Sequence, residues 1–231
     1  MKVIPNISVD CVVFGYSGKD VEVLLIKQKK ASHDAEAQYA LPGNLVRVDE
    51  DLDSAASRVL LDLTSLKGIF LKQFYTFGDP GRVSNPKDRA WLTAVREFPD
   101  ERVLTIAYYS LVSVDDYEPH ASAFAEESEW VSLKNVPPLA FDHDQILQKA
   151  VETLRNELVT KNIGFELLPK KFTLSQLQRL HEIILARKFD KRNFRKSMKK
   201  MSQLVPLDEK QQGVDHKPAQ LFQYDPNKAE E

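Results

Sequence analysis

"TLSQLQRLHEIILARKFDKRNFRKSMKKM" (residues 173–201) contains two amphipathic stretches separated by a short break, and its reading decides the fold of the carboxy-terminal part of the chain. In the first stretch Leu174, Leu177, Leu180, Ile184 and Leu185 recur at helical spacing, so the sequence predicts a helix opening at Thr173. Asp190 then stands where an amino cap is wanted, and Phe194, Met198 and Met201 fall on one side of a second helix. Working outward, Ile146, Leu147, Ala150, Leu154 and Leu158 predict an earlier helix over 145–158, with Asp142 or Asp144 as its cap. Downstream, "VPLDEKQQGVDHKPAQLFQYD" (205–225) reads as a two-stranded ribbon with a glycine-containing tip. Three helices followed by a ribbon is the order of a winged helix-turn-helix.

The charge on the second helix points to a partner. If Phe194, Met198 and Met201 face inward, then Lys191, Arg192, Arg195, Lys196 and Lys199 are left outward. Between Arg187 and Lys200 eight basic residues stand against one acid, a net +7, which leaves −9 for the rest of a chain whose total is −2. Solvated helix faces normally mix signs at i and i+4, because like charges at that spacing repel. DNA phosphates relieve the repulsion and release counterions, although RNA or a membrane surface would also accept such a face. Asn193 can pair bidentately with adenine, and Arg192 or Arg195 with guanine. Thr173, Ser175 and Gln176, at the start of the preceding helix, would meet the phosphate backbone. His216 and Lys217 in the ribbon would reach an adjacent groove or strand, or simply face solvent. Helix-turn-helix proteins usually read paired half-sites, so a homodimer on a double-stranded operator is expected.

The preceding part has a different pattern. Residues 7–14 and 21–27 are β-branched runs joined by "GYSGKD" (15–20), a hairpin, and an amphipathic helix covers 50–66. Further strands are predicted at 69–75, 103–112 and around Trp130. Strands alternating with a helix argue for a mixed α/β domain, and "NVPPLAFDHD" (135–144) marks its end. The expected division is 1–140 for this domain and 141–231 for the connecting helix and winged helix. The longest apolar runs are far too short for a membrane span. The lone Cys11 has no disulfide partner or CxxC neighbour, which suits a reduced cytoplasm.

"LPGNLVRVDEDLDSAASRVLLDLTSLKG" (41–68) carries a resemblance. It is similar to the Nudix signature in the one-residue-longer form found in Nudix-related transcriptional regulators, with Gly43, Glu50 and Arg58 aligned. Where Nudix hydrolases place magnesium-binding glutamates, this chain has Val59, Asp62 and Leu63, and Ser65 replaces a glycine. Magnesium needs several oxygen ligands, so neither a metal nor a cofactor nor catalysis is expected. The resemblance extends through "YTFGDPGR" (75–82), "LAFDHDQIL" (139–147), "FELLPKKFTLSQLQRLHEIIL" (165–185), "DKRNFRKSMKKM" (190–201) and "GVDHKPAQLFQY" (213–224), although the wing has "HKPA" in place of the usual "GRPA" and Asn44 replaces the second glycine of the box.

The family resemblance implies an α/β Nudix-like sandwich domain that senses an effector, followed by a winged helix-turn-helix, in a dimeric repressor. Loss of the box is similar to sugar-responsive members, including an arabinose-responsive group of Bacteroidetes, so a sugar such as L-arabinose is the favoured effector. The alternative is an ADP-ribose-responsive regulator, or a divergent hydrolase of a nucleoside diphosphate derivative. Lys27, Gln38, Tyr39, Asn44, Arg47, Asp79, Arg82 and Tyr108 are the candidate effector contacts. Three have simpler readings: Asp79 as the fixer of the "GDPG" turn, Tyr108 as core and Lys27 as a solvated lysine.

Overall fold

The computed structural model describes residues 6–28, 38–88, 91–93, 98–120, 125–160, 164–213 and 217–228. Its first unit is a mixed sheet of β1 (Asn6–Tyr16), β2 (Val21–Gln28), β3 (Tyr39–Ala40), β4 (Gly43–Leu45), β5 (Lys72–Phe77), β6 (Val103–Ser113) and β7 (Ala125–Ser132). The strand order is β3-β2-β1-β6-β5, with β4 pairing with β1 and β7 with β2. All these pairs are antiparallel except β1 with β6, which run parallel in unbroken register from Asn6↔Val103 to Tyr16↔Ser113.

β1 is apolar on both sides because it is central and both faces of the sheet are covered. Its alternation sends Val9, Cys11 and Val13 to one cluster and Val12, Phe14 and Tyr16 to the other. The first face is roofed by α1 (Leu52–Thr64), whose Ala55, Ala56, Val59, Leu60 and Leu63 are buried. Cys11 lies under that roof, wholly buried, and burial pushes its thiol pKa far above the usual range. The other face meets α2 (His143–Thr160), and its apolar cluster continues without a break through Leu154 and Leu158 to Leu180, Phe194 and Phe222 of the carboxy-terminal unit. The sandwich expected from the resemblance is therefore present, and the winged helix contributes to one of its layers.

That second unit comprises β8 (Phe172–Thr173), α3 (Leu174–Ile184), α4 (Lys191–Met198), β9 (Leu204–Lys210) and β10 (Gln220–Tyr224). The ribbon is a three-stranded sheet in the order β8-β10-β9. β8 is only two residues long, and a run that short has no legible alternation in sequence. Phe165 stacks on Tyr224 with ring centroids 4.0 Å apart, tying the entry of the unit to its last strand.

Two sequence expectations need correction. The strand predicted at 69–75 starts at Lys72: Ile69 and Leu71 pack under α1, Phe70 is 83% exposed, and pairing with β6 runs from Lys72 to Phe77 with an irregularity at Gln73/Tyr75. Neither acid offered as the cap of α2 caps with its side chain. The Asp142 carbonyl accepts from Gln145 N and Ile146 N, but its carboxylate is turned to Arg82, and the Asp144 carboxylate accepts from Leu139 N instead. Among the described residues no helix is long and apolar enough to cross a membrane.

Candidate DNA interface and effector cleft

α4 is an eight-residue helix with one buried residue, Phe194. Asp190 caps it, accepting from Asn193 N at 2.8 Å. Phe194 is anchored by the rings of His181 and Phe189, at 5.4 and 5.5 Å, and burial pushes the His181 pKa down to about 4, so this contact is a neutral one near pH 7. Lys191, Arg192, Asn193, Lys196 and Lys199 are exposed, Lys199 as the residue that closes the helix. Met198 and Met201 are half-buried against the core, as the sequence expects, whereas Arg195, expected outward with the lysines, is half-buried and turned to Ser175.

The turn between α3 and α4 is held by Glu182, which accepts from Phe189 N at 3.0 Å, from Gln178 Nε2 at 3.0 Å and from Lys188 Nζ at 3.1 Å. These bonds to its charged form lower the Glu182 pKa to about 2. Ala186 completes the turn in the left-handed region at φ 51°. The geometry of the two helices is thus locked by a carboxylate that stays ionised.

The residues proposed around the start of α3 divide by role. Thr173 and Gln176 form a capping box: Thr173 Oγ1 accepts from Gln176 N at 3.2 Å, and Gln176 Oε1 accepts from Thr173 N at 2.8 Å. Thr173 is buried at 3% exposure, so its hydroxyl serves the helix end and is not offered to phosphate. Ser175 is exposed and accepts from Arg195 Nη2 at 3.2 Å, which joins the first turn of α3 to α4. Lys217 is exposed; His216 lies outside the described residues.

In the first unit Gly43 and Glu50 keep the local architecture of the box. A Cβ on Gly43 would lie 1.8 Å from Asp10 Oδ1, so only glycine fits beside that carboxylate. Glu50 accepts from Arg58 Nε at 2.7 Å and from Arg47 N at 2.8 Å, and the Arg58 bond above all holds its pKa down to about 2. Arg58 also reaches Asp62 at 3.4 Å and the Leu45 carbonyl at 3.0 Å. Val59 and Leu63, at aligned glutamate positions, are fully buried in the core. Ser65 takes the left-handed conformation, φ 61°, that the family's glycine adopts without strain. Among the described residues no group of three or more His, Cys, Asp or Glu could hold a metal ion.

The eight candidate effector contacts do not converge on one hollow. Asn44 and Arg82 share a cavity of about 40 Å³, also lined by Asp10, Trp91, Phe141 and His143, room for about three waters. The Arg82 guanidinium is consumed there, donating to both oxygens of Asp142 at 2.8 and 2.9 Å and to Asp10 at 3.4 Å. Lys27 pairs with Glu127 at 2.9 Å and lies over the Tyr39 ring, while Gln38 donates to Asp88 at 3.2 Å. Arg47 is exposed near Asp62. Asp79 accepts from Gly81 N at 2.7 Å, the turn-fixing role. Tyr108 is core, 1% exposed, its hydroxyl donating to Asp53 at 2.7 Å. Burial and that carboxylate push its pKa well up. Sequence reasoning named Arg82 without its partners, since Asp10 and Asp142 are 72 and 60 residues away. A larger hollow of about 1030 Å³ lies elsewhere, between the β1–β2 turn, α2 and α3, and contains none of the eight.

A Nudix-like α/β domain joined through one helix to a DNA-binding winged helix defines a Nudix-related transcriptional regulator. Residues 164–224 match the family described as the NrtR DNA-binding winged helix domain. The chain is 30% identical over 224 residues to the "ADPR responsive transcriptional repressor NtrR" of Acinetobacter baylyi, covering 95% of this chain and 82% of that protein. The chain belongs to this NrtR family. It is also 28% identical over 144 residues to an ADP-ribose pyrophosphatase of Methanocaldococcus jannaschii, covering 62% of this chain and 72% of that one. The crystal structure of Shewanella oneidensis NrtR is similar with a TM-score of 0.70 at 26% identity, covering 96% and 95% of the two chains. The NUDIX domain of that protein, crystallised with ADP ribose, is similar with a TM-score of 0.52 at 26% identity, over 67% of this chain and 90% of the other.

Proposed function

We propose that this chain is an ADP-ribose-responsive transcriptional repressor that binds operator DNA as a homodimer. The observation that carries the DNA half is the face of α4: Lys191, Arg192, Asn193, Lys196 and Lys199 are exposed together, on a helix whose single buried anchor is Phe194. Arg192 and Asn193 are assigned to base edges, and Lys191, Lys196, Lys199, Ser175 and Arg195 to phosphates. Lys217 extends the contact from the wing. The unit that reads DNA is taken to include residues 141–231, and residues 1–140 to sense the effector.

The effector assignment rests on the Acinetobacter relative, named for ADPR, and on the Shewanella domain crystallised with ADP ribose. Neither favours a sugar, and the arabinose expectation gives way to the ADP-ribose alternative. Binding without turnover is the preferred reading, because two aligned glutamate positions are core residues and Glu50 is engaged by Arg58. The pyrophosphatase relative favours a second reading, a residual hydrolase.

Fluorescence anisotropy with a labelled fragment of the chain's own upstream region tests the proposal. Micromolar to millimolar ADP-ribose should shift the operator Kd at least fivefold, and L-arabinose should leave it unchanged. A response to arabinose alone, or equal affinity for scrambled DNA, sinks the reading. Magnesium-dependent loss of ADP-ribose that disappears in Glu50→Gln would establish the hydrolase instead.

A further inference from the structure

Three links join the 78–88 connector and Leu41, which lines the small cavity beside Asp10 and Arg82, to the turn that opens α2. Arg82 grips Asp142 through both carboxylate oxygens, with all three side chains of the Asp10–Arg82–Asp142 cluster at 3–7% exposure. Asp88, also buried, accepts from Phe141 N at 2.8 Å with one oxygen and from Gln38 Nε2 with the other. His143 Nδ1 accepts from Leu41 N at 3.0 Å. Between these links Phe141 sits at φ 60°, a left-handed conformation that a bulky side chain rarely adopts. Its ring lies against Trp91 and His143, with centroids 5.5 and 5.2 Å away. Strain of this kind persists only where the surroundings over-determine it.

The same helix touches the DNA-reading unit. Arg155 Nε donates to the carbonyl of Ile184, the last residue of α3, at 2.8 Å. Leu154 and Leu158 share one apolar cluster with Leu180, Ile184 and Phe194. α2 is 18 residues long, about 27 Å, and spans the distance as one rigid element.

We propose that Arg82 and Asp88 latch the start of α2 to the effector domain, and that this latch transmits effector binding in that domain to the winged helix. A ligand that moves the connector moves two buried carboxylate links at once. Breaking either link would leave a buried carboxylate without its partner, which is strongly disfavoured, so α2 moves with the connector, and α3 follows through Arg155 and the shared core. The proposal rests on the effector reading above; its chemistry is that of a buried ion pair used as a positioning contact, with Arg82 positioning α2 and not contacting the ligand.

The test uses full-length Asp142→Asn and Asp88→Asn, which keep volume and an acceptor oxygen while removing the charge. In both, ADP-ribose should bind within about threefold of wild type by calorimetry, but the ratio of operator Kd values with and without saturating ADP-ribose should fall at least fivefold toward one. An unchanged ratio in both variants overturns the latch. A readout independent of any effector is amide exchange. Without ligand, Asp142→Asn should accelerate exchange in the first turn of α2 and also in α3, and acceleration confined to α2 overturns the latch. Failure of wild type to respond to ADP-ribose would break the effector reading, while the exchange result would still decide the latch.

Discussion

The two functional regions differ in what their charges have already found. On α4 and at its closing residue, Lys191, Arg192, Lys196 and Lys199 face outward, while Arg195 is half-buried and donates to the Ser175 hydroxyl, not to a carboxylate. In the Nudix-like domain Arg58, Arg82 and Lys27 are each engaged by acids within the chain, at 2.5, 2.8 and 2.9 Å. An open basic surface is completed by a polyanion. Cations already paired within the chain, above all the buried Asp10–Arg82–Asp142 cluster, are complete without one and shape the domain. The difference teaches that residue type alone does not mark a binding contact: both regions hold arginines at motif positions, and only pairing separates them.

The largest effect should come from breaking the open region. Arg192→Ala combined with Arg195→Ala removes a base-edge contact of about 1–3 kcal/mol together with a phosphate contact, so operator affinity should fall by roughly one to two orders of magnitude or more. Effector binding should be retained. The slope of log Kd against log salt should also drop by about one for each phosphate that the variant no longer neutralises. Unchanged retention of the promoter fragment by gel shift would erase the contrast between the regions.

The self-paired region answers to pH. Glu50 has its pKa lowered from 4.5 to about 2 in the folded protein. A depressed folded pKa contributes stability that is present above the unfolded value and is lost as pH falls from about 4.5 to about 2. The melting-temperature gap between wild type and Glu50→Gln should therefore be fully open above pH ~5 and narrow below ~4.5. A gap that is constant through that window would mean that the Arg58–Glu50 pair does not differ from its unfolded state.

The smallest effect sharpens the boundary between the regions. Thr173→Ala removes the capping box at the start of α3 and should cost about 1 kcal/mol in urea unfolding. Operator affinity measured well below the transition should change less than threefold, because Thr173 is buried and turned to its own helix. A loss approaching that of the arginine pair would return Thr173 to the DNA interface.

Much of the winged helix was legible because its signals are local. Thr173 and Gln176 lie three residues apart, Asp190 precedes the helix that it caps by one position, and the buried face of α4 follows the helical period from Phe194 to Met198 and Met201. Even there a local signal was assigned to the wrong partner: a hydroxyl and an amide at a helix start serve the helix end as readily as a phosphate. β8 was missed because two residues show no period, and β5 began late because the apolar Ile69 and Leu71 read as strand while packing beneath α1.

The effector domain was legible as a motif and not as a site. Sequence by itself determined the order of the longer elements, the lysines and Arg192 of the basic face of α4, and the loss of glutamates at Val59 and Leu63, since each depends on residue type and near spacing. Tertiary structure alone decided that Arg82 is spent on Asp10 and Asp142, that Tyr108 is core and that Phe141 is held left-handed at the head of α2. The reason is physical. Pairing and desolvation are set by which distant segments meet, and a chain without its fold places every one of these side chains equally in water.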